Sequence, residues 1–201
     1  MRTLTILIGL LLAAATPAAA LELTPAQTEG PYYPRTRPTE TDADLTRVGG
    51  GGVAKGDVVV LNGRVFDPEG RAIADARVEI WQTDHQGIYL HPGDPRTGER
   101  DKAFQFYGET RSAADGAFSF RTILPAAYPG RPRHIHAKIT PPGGKTLTTQ
   151  FYFKDDAGLM RDGIARRLGK ELDRVTLAPA RAAADAALEA AVTVVVARGK
   201  R

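Results

Sequence analysis

Residues 76–81, Ala76-Arg77-Val78-Glu79-Ile80-Trp81, alternate apolar and polar side chains with a period of two. Successive side chains of an extended strand point to opposite faces, so this stretch predicts a strand with one buried face. The same pattern recurs to either side. Upstream, Val58-Val59-Val60-Leu61 and Gly63-Arg64-Val65-Phe66 suit a strand that ends in the turn Asp67-Pro68-Glu69-Gly70. Downstream, Thr110-Arg111-Ser112 leads into the turn Ala114-Asp115-Gly116, and Ala117-Phe118-Ser119-Phe120-Arg121 alternates again. His134 to Thr140 and Thr148 to Phe153 are further strand candidates, with Val192 to Val196 as a closing strand. Short strands divided by Gly, Pro and Asp turns predict an all-β fold, an antiparallel β-sandwich core with long loops and little helix. One short helix is expected over residues 158–170. The Ala-rich stretch around residues 181–190 stays open, since its composition favours helix while the valines after it favour strand.

The N-terminus stands apart from this fold. Arg2 precedes an apolar run, Leu4 to Ala15, which ends in Ala18-Ala19-Ala20. A basic start, a short apolar core and an A-x-A ending predict a signal peptide over residues 1–20, a periplasmic or secreted protein, and one domain over 21–201. The run is too short for a comfortable membrane span, so no membrane partner is expected after its removal. Leu23 to Pro38, rich in Pro and without periodicity, predicts an extended arm. The chain has no Cys, which excludes disulfides and thiolate metal sites. Its 27 basic and 23 acidic residues are interspersed, with no sustained basic stripe to hold nucleic acid.

His134-Ile135-His136 is the most suggestive local feature for chemistry. In a strand both imidazoles face one way and can reach one metal ion, with Ile135 turned into packing. Taken alone the pattern is weak, because a hydrogen-bonded or solvated pair is the commoner outcome. No Asp or Glu lies close in sequence to complete a site, but Tyr89 and Tyr128 flank the strands. Each by itself reads as a rim aromatic over the core. A phenolate is also a hard anionic donor suited to ferric iron, and its proton, with a pKa near 10, is lost only to a strong cation.

Four ordered segments are similar to those of the intradiol ring-cleavage dioxygenases. They are Thr24 to Pro34 (TPAQTEGPYYP), Val78-Glu79-Ile80-Trp81-Gln82 with Gly87-Ile88-Tyr89, Phe118 to Lys138 (FSFRTILPAAYPGRPRHIHAK), and Thr148 to Phe153. The likeness runs from Thr24 to Phe153 and looks closer to protocatechuate 3,4-dioxygenase subunits and the small secreted members than to the catechol 1,2-dioxygenases. It implies a non-haem Fe(III) ion held by Tyr89, Tyr128, His134 and His136, with Tyr128 and His136 axial. It further implies a catechol substrate and O2 as partners, with ring cleavage to a muconate. Arg131 would steady negative charge on the substrate, Gln150 would be a polar pocket residue, and Tyr32, Tyr33 and His91 would line the mouth. Tyr128 and His134 are separated by a shorter loop than in the protocatechuate enzymes, with Gly130 where those carry a bulky aromatic. That departure implies an open pocket and broad tolerance of ring substituents. Gly63 to Asp67 and Ala76 to Val78 also resemble carboxypeptidase-regulatory and transthyretin-like modules, so a non-catalytic secreted binding module is the alternative.

Overall fold

The computed structural model describes residues 20–181, 183 and 186–199. Apart from Ala20, the expected signal peptide lies outside the described residues. Among the described residues nine strands follow in order: β1 (Val58–Phe66), β2 (Arg77–Trp81), β3 (Tyr107–Arg111), β4 (Ala117–Ile123), β5 (His134–Thr140), β6 (Leu147–Phe153), β7 (Thr176–Leu177), β8 (Ala180–Arg181) and β9 (Leu188–Val195). They form two sheets, β4-β1-β9-β8 and β3-β2-β5-β6-β7. All pairings are antiparallel except β1 with β9 and β6 with β7. The open stretch thus resolves at its end, where Leu188 to Ala190 begin β9 along the free side of β1.

The expected helix over 158–170 is broken into pieces. A 3-10 turn (Leu159–Arg161) precedes α1 (Gly163–Arg166), and a second 3-10 segment (Gly169–Val175) follows. Asp162 stops the first turn and starts α1 by accepting the N–H groups of Ile164 and Ala165. No helix among the described residues is long and apolar enough to cross a membrane.

Between the sheets lie Val59, Leu61 and Val65 of β1, Phe120 of β4, Val78 and Ile80 of β2, Ile135, Ala137 and Ile139 of β5, and Phe151 and Phe153 of β6. Each fully buried aliphatic or aromatic side chain of this kind stabilises the fold by about 1.5–3 kcal/mol. That layer fixes the register of β5, because a slip by one residue would expel Ile135, Ala137 and Ile139 and bury the two histidines in their place.

One expectation for β2 is corrected. Its polar face is buried as well: Glu79 is 2% and Trp81 1% exposed. The N-terminal arm accounts for this by crossing the outer face of the five-stranded sheet. The arm starts at the other sheet, where Thr24 bonds Val195 of β9 through its backbone N–H and its hydroxyl, and then Gln27 donates its backbone N–H to Thr148 and its side chain to Thr149 and Gln150 of β6. Farther along, the Tyr33 hydroxyl donates to Glu79 at 2.7 Å, and Tyr107 donates to the same oxygen. A buried carboxylate with two such donors and Arg77 at 3.2 Å has the partners its burial demands.

Candidate metal centre

Across that covered face runs a row of cross-strand partners: Tyr107, Trp81, His136 and Gln150, contributed by β3, β2, β5 and β6. His134 lies two residues back along β5, paired with Tyr152. The period of two brings both histidines to one side. The Pro132 carbonyl can only accept a hydrogen bond, so its 2.7 Å contact requires the proton on His134 Nδ1 and leaves a lone pair on Nε2. That Nε2 is 3.1 Å from His136 Nε2. Two nitrogen ligands at right angles, with metal bonds of about 2.1 Å, stand about 3 Å apart. The His136 ring is stacked flat on Trp81, at 4.7 Å and 7°. Desolvation and then Arg131 push His134 down to about 4, while desolvation and then His134 hold His136 well below its ordinary value. Both are neutral at pH 7, which is the form that binds a metal.

Tyr89 comes from the loop after β2, and side chains pin its backbone at both polar groups. Asp94 accepts its N–H, Thr97 donates to its carbonyl, and Asp84 braces the preceding turn through the N–H groups of Gln86 and Ile88. The residue is buried, yet its hydroxyl has no partner among the described residues. An unpaired buried hydroxyl costs about 1–3 kcal/mol, so its retention points to a ligand. Burial and then Tyr128 raise its pKa well above the ordinary phenol value, so only a cation would ionise it here.

Tyr128 opens a β-turn in which the Arg131 N–H returns to its carbonyl at 2.9 Å. Pro129 and then Gly130, at φ +83°, occupy the two central positions, as a type II turn requires. The turn sets Arg131 beside Tyr128, whose ring is 5.6 Å from that of His134 and 5.6 Å from that of Tyr89. Burial raises the Tyr128 pKa, and the Arg131 charge and hydrogen bond work against it. Arg131 itself is held by two partners, donating from Nε to Asp162 and from Nη2 to Gln150 Oε1, each at 2.6 Å.

The structure therefore brings Tyr89, Tyr128, His134, His136, Arg131 and Gln150 together. Tyr32 joins them, stacked on Tyr89 at 4.5 Å, with His91 edge-on behind it at 5.6 Å. Tyr33 is one layer out, against Trp81, with its hydroxyl committed to Glu79. A Cβ at Gly130 would meet nothing within 4 Å, so that side is open. On the opposite side the arm presses close, and a Cβ at Gly30 would lie 3.2 Å from His136 Cε1. Trp81, Tyr152 and Asp162 also belong to the site, and no local sequence pattern marks them for it. Asp162-Gly163 was readable as a helix start, but the second use of its carboxylate was not.

The donors fit a hard trivalent ion. Among the described residues no group of three or more His, Cys, Asp and Glu side chains is placed to hold a metal. A cation between the two imidazoles must draw on the phenols, whose anionic oxygens suit Fe(III) better than softer ions.

Comparison with known proteins adds an independent line. A family profile described as Dioxygenase matches residues 28–195. The chain is 36% identical over 132 residues to the protocatechuate 3,4-dioxygenase beta chain of Burkholderia cepacia, covering 61% of this chain and 56% of that one. It is 32% identical over 171 residues to catechol 1,2-dioxygenase of Acinetobacter baylyi, covering 76% and 53%. The chain thus spans a little over half the length of these curated relatives. Among solved structures, the dioxygenase domain of a dioxygenase–carbohydrate-binding fusion from Streptomyces sp. SirexAA-E superposes with a TM-score of 0.70 at 29% identity, covering 88% of this chain and 99% of that one. These likenesses do not favour the binding-module alternative, and with the sandwich they assign this chain to the intradiol ring-cleavage dioxygenase family.

Proposed function

We propose that this chain is an Fe(III)-dependent dioxygenase that opens catechol rings between the two hydroxylated carbons, adding both atoms of O2 to give a muconate-type diacid. The observation that carries the reading is the meeting of two neutral imidazole nitrogens, 3.1 Å apart, with a buried phenol on a neighbouring loop that has no partner among the described residues. His134, His136, Tyr89 and Tyr128 would hold the ion. When bound, Fe(III) supplies a chelating site for the two catechol oxygens and activates the ring toward O2.

The chain's own residues divide the remaining work. His134 and Tyr89 are fixed, one by the Pro132 carbonyl and the other by its braced loop. Tyr128 is only partly buried and sits on a turn, so its Oη is the group suited to take one of the two protons a chelating catechol must lose. Arg131, kept in place by Asp162 and Gln150, puts fixed positive charge where the ring becomes anionic, which favours the transition state over the ground state. Tyr32 and the arm cover the centre and limit access of water.

The test is direct. Purified chain loaded with iron should hold about one ion, show the red-brown colour of a phenolate–Fe(III) pair, and consume one O2 per catechol opened. Bound iron without oxygen uptake on any of a panel of catechols would sink the reading. We further infer export, from the Arg2, Leu4–Ala15 and Ala18-Ala19-Ala20 pattern. Secreted or periplasmic protein should then begin near Leu21, and full-length protein confined to the cytoplasm would contradict this.

A further inference from the structure

The Arg131 guanidinium leans on Gln150, and Gln150 in turn leans on the N-terminal arm. The Thr28 carbonyl can only accept a hydrogen bond, so its 2.8 Å contact requires Gln150 Nε2 to face it. Gln150 Oε1 is thereby turned toward Arg131, whose Nη2 donates to it at 2.6 Å. Tyr152 stands beside this bond, fully buried, with one hydroxyl proton and two amide oxygens in reach. One is Gln150 Oε1 at 3.2 Å, and the other is Gln27 Oε1 at 2.8 Å. The orientation of Gln27 is itself dictated by its neighbours. Its Nε2 donates to the Gln150 carbonyl and to Thr149 Oγ1, each at 2.9 Å. Thr149 gives its own proton to the Pro25 carbonyl at 2.9 Å, so toward Gln27 it can only accept. With both amide hydrogens committed, Gln27 presents Oε1 to Tyr152 and takes the phenol proton at the shorter distance. Gln150 Oε1 is left to the guanidinium.

We infer that Gln27 is a positioning residue for Arg131, drawing the Tyr152 proton away from the amide oxygen that holds the guanidinium. The inference deepens the ring-opening reading above and rests on it for its catalytic consequence. Without Gln27 Oε1, the Tyr152 hydroxyl turns to Gln150 Oε1 and shares it with Arg131. Two donors on one oxygen bring their positive hydrogens together, so each bond weakens. A guanidinium held less firmly gives up part of the preorganised charge it offers the ring. Asp162, bonded at Arg131 Nε, still keeps the side chain in the site, so the loss is partial.

The experiment compares Gln27→Met in the native chain and in Tyr152→Phe, where no phenol proton exists to redirect. The first readout needs no turnover. Rotation about the Arg131 Nε–Cζ bond is followed by NMR of isotope-labelled arginine in the full chain, loaded with gallium(III) as a diamagnetic stand-in for Fe(III). Gln27→Met should speed that rotation several times in the native chain and leave it unchanged in Tyr152→Phe. In the iron-loaded chain, Gln27→Met should lower kcat for catechol about tenfold with little change in KM, and Tyr152→Phe should abolish this difference. Equal effects in both backgrounds, or unaltered rotation, would make Gln27 a fastener of the arm and overturn the inference. If Gln27→Met does not fold, Gln27→Glu decides, since it keeps an oxygen toward Tyr152 while losing both N–H donors. Rotation should then stay near that of the native chain, and quickened rotation overturns the inference. Absence of oxygen uptake by the native iron-loaded chain would refute the ring-opening reading alone, because the NMR comparison stands without turnover.

Discussion

Tyr89→Phe is expected to raise the melting temperature of the iron-free chain while nearly abolishing ring cleavage. The two effects have opposite signs because the Tyr89 hydroxyl is buried and has no hydrogen-bond partner among the described residues. Removing it from the iron-free protein deletes an uncompensated polar group at almost constant ring volume, a gain of about 1 kcal/mol. For a domain of this size that is a rise of about 2–4 °C. With iron present the balance reverses, since Phe offers no anionic oxygen. The phenolate absorption should shift, iron should bind more weakly, and kcat/KM should fall by about a hundredfold or more. Tyr152→Phe is the contrasting control: its hydroxyl donates to Gln27 at 2.8 Å and lies 3.2 Å from Gln150, so its loss should destabilise. Thermal melts of the iron-free chains, with metal analysis and oxygen uptake of the loaded ones, decide the matter. A melting temperature lowered by several degrees in iron-free Tyr89→Phe, or an unchanged visible spectrum, would count against Tyr89 as a ligand.

What the sequence revealed follows the distance over which each signal acts. The strands were legible because alternation is local: β1, β2, β4, β5 and β6 all lie on stretches with a period of two or a β-branched run. β7 and β8, two residues each, carry no periodicity to read, and they exist through their pairing with β6 and β9. The direction of β9 depends on β1, more than 120 residues away, and so could not be read from its own alanines and valines. His134 and His136 were legible as a pair for the same local reason as the strands. Tyr89 and Tyr128 were not: each stands on a loop, and only family resemblance joined them to the histidines. Glu79 shows the limit most clearly. On an alternating strand it reads as solvent-facing, and its burial depends on an arm that arrives from about 46 residues upstream to place Tyr33 on it. Arg131 and Asp162, 31 residues apart, are another pair that no local pattern could join.

That pair carries the second large effect. Arg131→Ala should slow ring cleavage by about a hundredfold to a thousandfold, the scale of losing one preorganised electrostatic donor. It should also destabilise the fold, for a reason separate from catalysis. Asp162 is 4% exposed, and without the guanidinium its carboxylate keeps only the N–H groups of Ile164 and Ala165. Breaking a buried pair on one side costs about 3–5 kcal/mol, and the remaining cap and the partial exposure of Arg131 reduce this to about 2–3. Replacing both residues, as Arg131→Ala with Asp162→Asn, removes the stranded charge, so stability should partly return while turnover does not. The pH dependence gives a sharper signature. Burial alone would raise the Asp162 pKa, but the Ala165 N–H and Arg131 outweigh it and hold the carboxyl below its ordinary value of 3.8. A depressed folded pKa means that the stabilisation is fully present above the unfolded value and is lost as pH falls through the folded one. The stability gap between the native chain and Arg131→Ala should therefore be widest near neutral pH and narrow below about pH 4, where the isolated carboxyl takes up a proton and no longer needs the guanidinium. Denaturant titrations of both proteins between pH 7 and pH 3 measure this gap. A gap that stayed constant through that range would show that Arg131 stabilises the chain by packing and not through its bond to Asp162.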